Sequence, residues 1–291
     1  MIKYLRLIRV HQWIKNIFVF VPILFSLHLF ENDYLLTTLF AFFIFCLASS
    51  TIYVINDIVD IEADRSHPVK KNRPLPSGAI SVNTALAVVV ILLILVSISM
   101  LYFNIEFILI TAGFILLNVF YSFWFKNVVI LDVFSIAAGF AMRVLAGAFV
   151  IQVPISSWLL LTTMFISLFL GVMKRHSELT VVSGNNNSSS RKVLAQYSLN
   201  FADQMATVAA AGVIICYALY TVAPRTITVF ETENLIYTTP FVVFGIFRYM
   251  YLEYMSNKGE NTTKIIATDV PMIVTVILYI AATVLIIYKV I

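Results

Sequence analysis

Long apolar blocks recur along this chain of 291 residues, and they constrain its fold more than any other feature. Hydrophobic residues make up 61% of the sequence and charged residues only 12%. Soluble domains contain about 25% charged residues and scatter their apolar residues more evenly. The blocks therefore exclude a soluble domain with a single core and predict a polytopic membrane protein.

About nine of these blocks are long enough, or nearly so, to cross a bilayer. A backbone in lipid must satisfy its own hydrogen bonds, and these segments are too long for barrel strands, so each is predicted to be a helix. The predicted fold class is all-α, one integral membrane domain over residues 1–291. The predicted spans are 13–30, 35–55, 81–103, 107–125, 128–150, 155–173, 203–223, 235–255 and 269–289.

The basic residues are distributed unevenly between the predicted loops. If the N-terminus is cytoplasmic, 15 of the 19 Lys and Arg residues fall on that side. The positive-inside rule thus predicts a multi-pass protein of the cell inner (plasma) membrane with a cytoplasmic N-terminus. We expect function to concentrate in the three longer cytoplasmic loops, at about 56–80, 174–202 and 256–268. The basic residues form no continuous stripe, which excludes nucleic acid and favours phosphate or anionic lipid as partner.

Carboxylates and one amide cluster where the second apolar segment ends. On a continuing helix four of these polar side chains share one face, with a fifth beside them. Neighbouring carboxylates repel, so this face needs a compensating cation. Oxygen ligands on a rigid element indicate Mg²⁺, and substrate phosphates usually complete the coordination of this ion. The cluster therefore predicts a diphosphate substrate. The alternative is a solvated acidic loop end. The residues are Tyr53, Asn56, Asp57, Asp60 and Asp64.

A basic, proline-stiffened segment follows this acidic cluster. Four cations occur within nine residues, at Arg65, Lys70, Lys71 and Arg73. Lys supplies a point charge and Arg a bidentate fork for phosphate oxygens, so the segment suits a metal-bridged phosphate. The alternative is that it is only the basic loop that membrane topology demands.

Arg143 lies deep in the fifth predicted span, where an unpaired arginine is costly. We expect it to face a polar cavity and to meet an anion or a carboxylate, and a salt bridge to Asp132 is the structural alternative. Gly139 and Gly147, each four residues away, allow close helix packing. Three further cations, Lys126, Lys174 and Arg175, end the fourth and sixth spans near the level of the acidic cluster, where snorkelling to the interface is the alternative role.

Together these features resemble the UbiA superfamily of intramembrane prenyl-type transferases, and within it the decaprenyl-phosphate phosphoribosyltransferase branch. The resemblance covers essentially the whole chain. Its motifs are Arg9-x-x-Gln12-Trp13-x-Lys15-Asn16, Asn56-Asp57-x-x-Asp60-x-Glu62-x-Asp64-Arg65-x-His67-Pro68-x-Lys70, Tyr121-Ser122, Lys126, Asp132, Gly139-Phe140-x-x-Arg143, Lys174-Arg175-x-x-Glu178 and Phe247-Arg248-Tyr249.

The resemblance implies transfer of 5-phosphoribose from phosphoribosyl diphosphate to a polyprenyl phosphate, in the bilayer and with Mg²⁺ as cofactor. It implies that Mg²⁺ is held by Asn56 and Asp60, with Asp57 and Asp64 in support. It implies that Asp60, Lys126 and Arg143 are catalytic, with the last two at the phosphates near the reacting centre. The remaining residues that it assigns to substrate are Lys15, Tyr53, Lys70, Arg73, Lys174 and Arg175. The chain is also compatible with a homo-oligomer.

Two other functions remain open at the level of sequence. The metal motif alone also permits an ordinary UbiA-type prenyltransferase, in which a polyprenyl diphosphate is the donor and an aromatic or lipid alcohol the acceptor. A transporter or ion channel could use Arg143 and the acidic cluster for permeation. A transporter site would be built from broken helices in mid-membrane, whereas the acidic cluster is predicted at a membrane edge.

Overall fold

The computed structural model describes residues 2–66, 70–184, 192–256 and 268–289, and these are helical as predicted. The chain divides into two compact units, Met1–Pro154 and Ile155–Ile291. The helices of the first unit are α1 (Ile2–Leu7), a 3₁₀ helix (Val10–Phe20), α2 (Val21–Leu24), α3 (Asn32–Val59), α4 (Ile61–Ser66), α5 (Val82–Met100), α6 (Ile105–Phe123) and α7 (Leu131–Val150). Short 3₁₀ turns lie at Lys70–Asn72 and Phe125–Asn127.

The second unit contains five α-helices and two 3₁₀ segments among its described residues. Its α-helices are α8 (Ser157–Gly184), α9 (Leu199–Val222), α10 (Pro224–Phe230), α11 (Thr239–Ser256) and α12 (Val270–Ile287), and its 3₁₀ segments are Lys192–Gln196 and Asn234–Thr238.

Eight helices in the described ranges are long and apolar enough to cross a membrane, and a shorter apolar helix covers Val10–Leu24. This agrees with the predicted nine spans, although most boundaries differ by a few residues and three ends differ more. The first apolar segment ends at Leu24 rather than 30. Helix α3 runs to Val59 rather than 55, and α8 runs to Gly184 rather than 173, so polar motifs predicted in loops begin on helices. Most of the predicted loop at 256–268 falls at 257–267, outside the described residues.

The helix Val10–Phe20 is of the 3₁₀ type, which explains how so short a segment serves as the ninth apolar span. A 3₁₀ helix rises about 2.0 Å per residue and an α-helix about 1.5 Å. The 11 residues of the 3₁₀ helix and the 4 residues of α2 therefore extend about 28 Å together, close to the thickness of the hydrocarbon core. The period of three also appears in burial. Asn16, Val19 and Pro22 are buried, whereas His11, Ile14 and Ile17 are exposed.

Four of the long helices begin at a side-chain cap. In each, an oxygen of the residue before the helix accepts a hydrogen bond from a backbone N–H three residues later, which satisfies one donor that the first turn leaves unpaired. The caps are Ser81 on α5, Asn104 on α6, Ser198 on α9 and Asp269 on α12.

Gly147 brings α7 against the 3₁₀ helix in the first unit. A Cβ atom built on Gly147 would lie 2.0 Å from the backbone oxygen of Val19, so only glycine fits there. Phe45 of α3 packs nearby against the rings of Phe107 and Phe114 of α6, at centroid distances of 6.1 and 5.1 Å. This packing fixes α3, α6 and α7 around the residues described next.

Candidate active site

The acidic cluster lies at a break between two helices. Helix α3 ends at Val59, Asp60 adopts a non-helical conformation, and α4 resumes at Ile61. The N–H of Asp60 donates to the carbonyl of Asn56 at 2.9 Å, and the N–H of Asp64 donates to the carbonyl of Asp60 at 2.8 Å. Helical hydrogen bonds therefore continue through the break and keep the carboxylates close together.

Asp57 and Asp64 converge on a single guanidinium group. Arg73 donates from Nη1 to Asp57 Oδ1 at 3.1 Å and to Asp64 Oδ2 at 2.5 Å. Both aspartates are buried, with 1% and 3% exposed. Arg9 also donates to Asp57, and the Nζ atom of Lys70 lies 3.8 Å from Asp64. Two of the predicted metal ligands are thus held by cations of the chain itself.

Asp60 points to a different partner. Lys126, on the 3₁₀ turn that follows α6, donates from Nζ to Asp60 Oδ1 at 2.5 Å. The two residues are 66 positions apart in the sequence. The structure thus brings two of the three predicted catalytic residues into contact.

The third predicted catalytic residue, Arg143, lies elsewhere in the first unit. Its Nε donates to Asn16 Oδ1 at 2.7 Å, its Nη1 to the Gly139 carbonyl at 2.9 Å, and its Nη2 to Ser49 Oγ at 3.4 Å. Asp132 is eleven residues away on α7, about 16 Å along the helix axis, which is too far for the alternative salt bridge. Arg143 is bound by neutral groups.

Three more of the predicted residues lie near these clusters. The guanidinium of Arg9 lies 5.2 Å from the ring centre of Tyr53, which links Tyr53 to the ion pair at Asp57. Asn56 is half-buried in the last turn of α3, and Lys15 is half-buried on the 3₁₀ helix beside Asn16. All of the predicted residues from Lys15 to Arg143 belong to the first unit.

Lys174 and Arg175 belong to the second unit, on α8. Arg175 is 1% exposed and donates from Nη1 to Glu178 Oε2 at 2.6 Å, one helical turn away. Lys174 is exposed. Of the predicted basic pair, Arg175 therefore makes a buried contact within α8, whereas Lys174 is an exposed cation.

The predicted Mg²⁺ ligands fit the ion in chemical type, because they are carboxylate and amide oxygens. Within the described ranges, no group of three or more His, Cys, Asp and Glu side chains is arranged to hold one ion. The carboxylates are paired instead with Arg9, Arg73 and Lys126. Binding a metal at these residues requires the carboxylates to exchange those cations for it.

Sequence reasoning missed the partners of Arg143, which are Asn16 on the 3₁₀ helix and Ser49 on α3. It also gave Arg9 no partner, whereas Arg9 pairs with Asp57. A signal was present for Asn16, because an amide inside an apolar segment is costly unless it is hydrogen-bonded. The sequence does not show which partner satisfies it.

Comparison with known proteins places this architecture in a family. The model of the UbiA prenyltransferase family matches residues 17–268. Decaprenyl-phosphate phosphoribosyltransferase of Mycolicibacterium smegmatis is 32% identical over 74% of this chain and 69% of that protein. The protein of the same name from Corynebacterium glutamicum is 31% identical over 74% of this chain and 66% of its own length.

Solved structures show the same fold. A UbiA homologue from Archaeoglobus fulgidus, bound to GPP and Mg²⁺, matches with a TM-score of 0.74 and 19% identity over 98% of this chain and 99% of that one. A structure of digeranylgeranylglyceryl phosphate synthase matches with a TM-score of 0.67 and 23% identity over 99% and 98% of the two chains. From the family match and the fold together, the chain belongs to the UbiA prenyltransferase family and is a multi-pass membrane transferase.

Proposed function

We propose that this transferase moves 5-phosphoribose from phosphoribosyl diphosphate to a polyprenyl phosphate, with Mg²⁺ as cofactor. The observation that carries the proposal is the set of cations held around the acidic end of α3. Arg9, Arg73 and Lys126 each contact a carboxylate there, and Lys70 approaches one. The cluster thus combines carboxylates that can bind a metal with cations that can bind phosphate oxygens. The names of the relatives with 31–32% identity support the same reaction.

The donor would bind at this acidic and basic cluster. Asn56, Asp57, Asp60 and Asp64 are the residues that would hold Mg²⁺, which when bound offsets negative charge on a diphosphate. Lys126 and Arg73 would turn from their carboxylates to the phosphate oxygens of the donor, as charge-assisted donors. Tyr53, Lys15 and Lys70, all of the first unit, would complete the donor site.

The reaction breaks the bond between C1 of the ribose and the diphosphate oxygen, and forms a bond from C1 to an oxygen of the acceptor phosphate. Diphosphate leaves with the bonding electron pair. Lys126 would stabilise the charge that grows on this leaving group, which is electrostatic stabilisation of the transition state. The acceptor needs no general base, because a phosphate oxygen is already anionic near neutral pH. In-line attack on an α-linked donor would give a β-linked product.

We further place the site at the cytoplasmic face of the inner membrane, with the N-terminus on the same side. The reason is the distribution of charge, since 15 of the 19 basic residues fall on that side in the predicted topology. A water-soluble donor would then reach the cluster from the cytoplasm, and the prenyl tail of the acceptor would remain in lipid.

The test is mass spectrometry of the lipids that the purified protein makes with Mg²⁺. One reaction contains phosphoribosyl diphosphate and polyprenyl phosphate, and the other contains polyprenyl diphosphate and 4-hydroxybenzoate. We expect a phosphoribosyl lipid in the first reaction only. A prenylated aromatic in the second, with no product in the first, would refute the proposal and assign ordinary prenyl transfer.

A matched pair of variants links the activity to the cluster. Asp60→Asn keeps the shape of the side chain but removes the charge that contacts Lys126, and we expect it to lower turnover at least 100-fold. Glu62→Gln makes the same kind of change at a side chain that is 80% exposed and pairs only with Arg65 among the described residues. It should retain wild-type turnover. Equal activity of the two variants would remove Asp60 from the site.

A further inference from the structure

The buried guanidinium of Arg143 lies among neutral acceptors. Arg143 is 6% exposed, and its hydrogen bonds go to an amide oxygen, a backbone carbonyl and a hydroxyl. Two aromatic rings flank it, with the centroids of Phe114 and Phe140 at 4.6 and 5.1 Å from Cζ. These groups orient a cation and lower the cost of burying it, but none of them carries a full negative charge.

Asn16 organises this arrangement. It is completely buried, and its Oδ1 accepts from both Arg143 Nε, at 2.7 Å, and Ser49 Oγ, at 3.1 Å. Its Nδ2 donates to the sulfur of Cys46 at 3.3 Å, which fixes the orientation of the amide. Because the Ser49 proton is directed to Asn16, a lone pair of the same hydroxyl is left to face Arg143. Asn16 thus contacts the guanidinium directly and also orients Ser49, a second of its three partners.

The position of Arg143 relative to the acidic cluster follows from α3. Ser49 and Asp57 lie eight residues apart on this helix, so they share one face and are separated by about 12 Å along its axis. Tyr53 lies between them on that face. Asp57 is already paired with Arg9 and Arg73 at its own level. The charge of Arg143 therefore has to be balanced at its own depth, two helical turns from the acidic end.

We propose that Asn16 is a positioning residue that holds Arg143 as an uncompensated cation, so that Arg143 binds the phosphate group of a substrate deeper in the membrane than the acidic cluster. This rests on the proposed function in that it assigns Arg143 to substrate. It explains why an amide, rather than a carboxylate, occupies position 16: a carboxylate would accept the same hydrogen bonds but would neutralise the charge that the phosphate needs.

Asn16→Asp is the decisive variant, because it preserves shape and acceptor while it adds the missing negative charge. If Arg143 only stabilises the fold, the new salt bridge should leave binding unchanged or improved. If Arg143 binds phosphate, Asn16→Asp should keep or raise the melting temperature but weaken phosphate binding at least tenfold. Asn32→Asp, at an exposed position at the start of α3, is the matched control and should match wild type in both measurements.

Binding is measured without turnover, from the rise in melting temperature of the purified protein with farnesyl phosphate and, separately, with inorganic diphosphate and Mg²⁺. Loss of the shift with farnesyl phosphate assigns Arg143 to the lipid phosphate, and loss with diphosphate assigns it to the donor. Wild-type shifts with both probes in Asn16→Asp would overturn the proposal. Because no product is needed, failure of phosphoribosyl transfer would leave this result intact.

Kinetics supply the second readout. Where transfer is measured, Asn16→Asp should raise KM for one substrate at least tenfold and change kcat less, because the charge acts on binding. Asn16→Ala, which removes the alignment and adds no charge, should lower the melting temperature and also weaken binding. An Asn16→Ala protein that unfolds at lower temperature but binds both probes with wild-type affinity would show that Asn16 is structural only.

Discussion

Replacing Gly147 with alanine tests the close approach of α7 to the 3₁₀ helix. The new Cβ would lie 2.0 Å from the backbone oxygen of Val19, whereas ordinary contact begins at 3.4 Å. The two helices would have to separate by about 1.4 Å, the difference between these two distances. Overpacking of a core costs about 1–3 kcal/mol. A clash with a backbone atom should cost close to the upper end of that range, because backbone cannot move aside as a side chain can.

Alanine also favours a helix over glycine by about 1 kcal/mol, so the net loss for Gly147→Ala should be about 2 kcal/mol. For a chain of this size that corresponds to a fall of about 4–8 °C in melting temperature. Gly139 on the same helix is the matched control, since its Cβ would meet its nearest neighbour, Arg143 Nη1, at 3.6 Å. Gly139→Ala should unfold at the wild-type temperature or slightly above it.

The assay is thermal unfolding of both variants in the same detergent, followed by phosphate-dependent stabilisation. Val19 lies one 3₁₀ turn after Asn16, so displacement of its carbonyl should also disturb the contact with Arg143. We therefore expect Gly147→Ala to lose both stability and phosphate binding. A Gly147→Ala protein as stable as Gly139→Ala would refute the packing argument, because no side-chain motion can relieve a contact with backbone.

Three further outcomes are expected. Arg73→Ala should tighten the binding of Mn²⁺ severalfold in a titration followed by electron paramagnetic resonance, because Arg73 competes for Asp57 and Asp64, whereas exposed Lys71→Ala should not. Chelation with EDTA should abolish transfer, and added Mg²⁺ should restore it; full activity in EDTA would contradict the metal assignment. The hydrogen bond from Lys289 holds the pKa of exposed Glu231 below its usual value. Any stabilisation of the folded state by this ion pair is therefore present at neutral pH and is lost as the pH falls through the lowered pKa. Because the pair is solvent-exposed, Lys289→Gln should leave the melting temperature at pH 7 unchanged within error.

The fold was predictable because the length of an apolar block in lipid leaves little choice of structure. Boundaries were less predictable, since polar residues such as Asn56 and Asp57 were assigned to a loop although α3 continues to Val59. A helix that leaves the bilayer gains polar surroundings without losing its hydrogen bonds. Hydropathy therefore marks where lipid ends, and it does not mark where the helix ends.

The candidate site was predictable in part. Spacing along α3 placed the carboxylates together, but it could not assign Lys126 to Asp60 or Arg73 to Asp57 and Asp64, because those contacts depend on loop geometry. The contact between Asn16 and Arg143 joins residues 127 positions apart. Besides the Asn16 amide, the described residues include many buried hydroxyls that could satisfy an arginine, and only packing selects among them.

Because Val10–Phe20 is a 3₁₀ helix, the effect of deletions in it and its alignment with the sequences of relatives both follow a period of three residues. Side chains three residues apart lie directly above one another in such a helix, so Trp13, Asn16 and Val19 form a straight column. Deleting one residue would turn everything before it by about 120° and shorten the span by about 2 Å. Gaps in an alignment are therefore structurally admissible here only in steps of three. A cysteine scan of the segment should show labelling that repeats every third residue, at positions 11, 14 and 17. If the same data were interpreted with the period of an α-helix, the membrane-facing side would be misplaced.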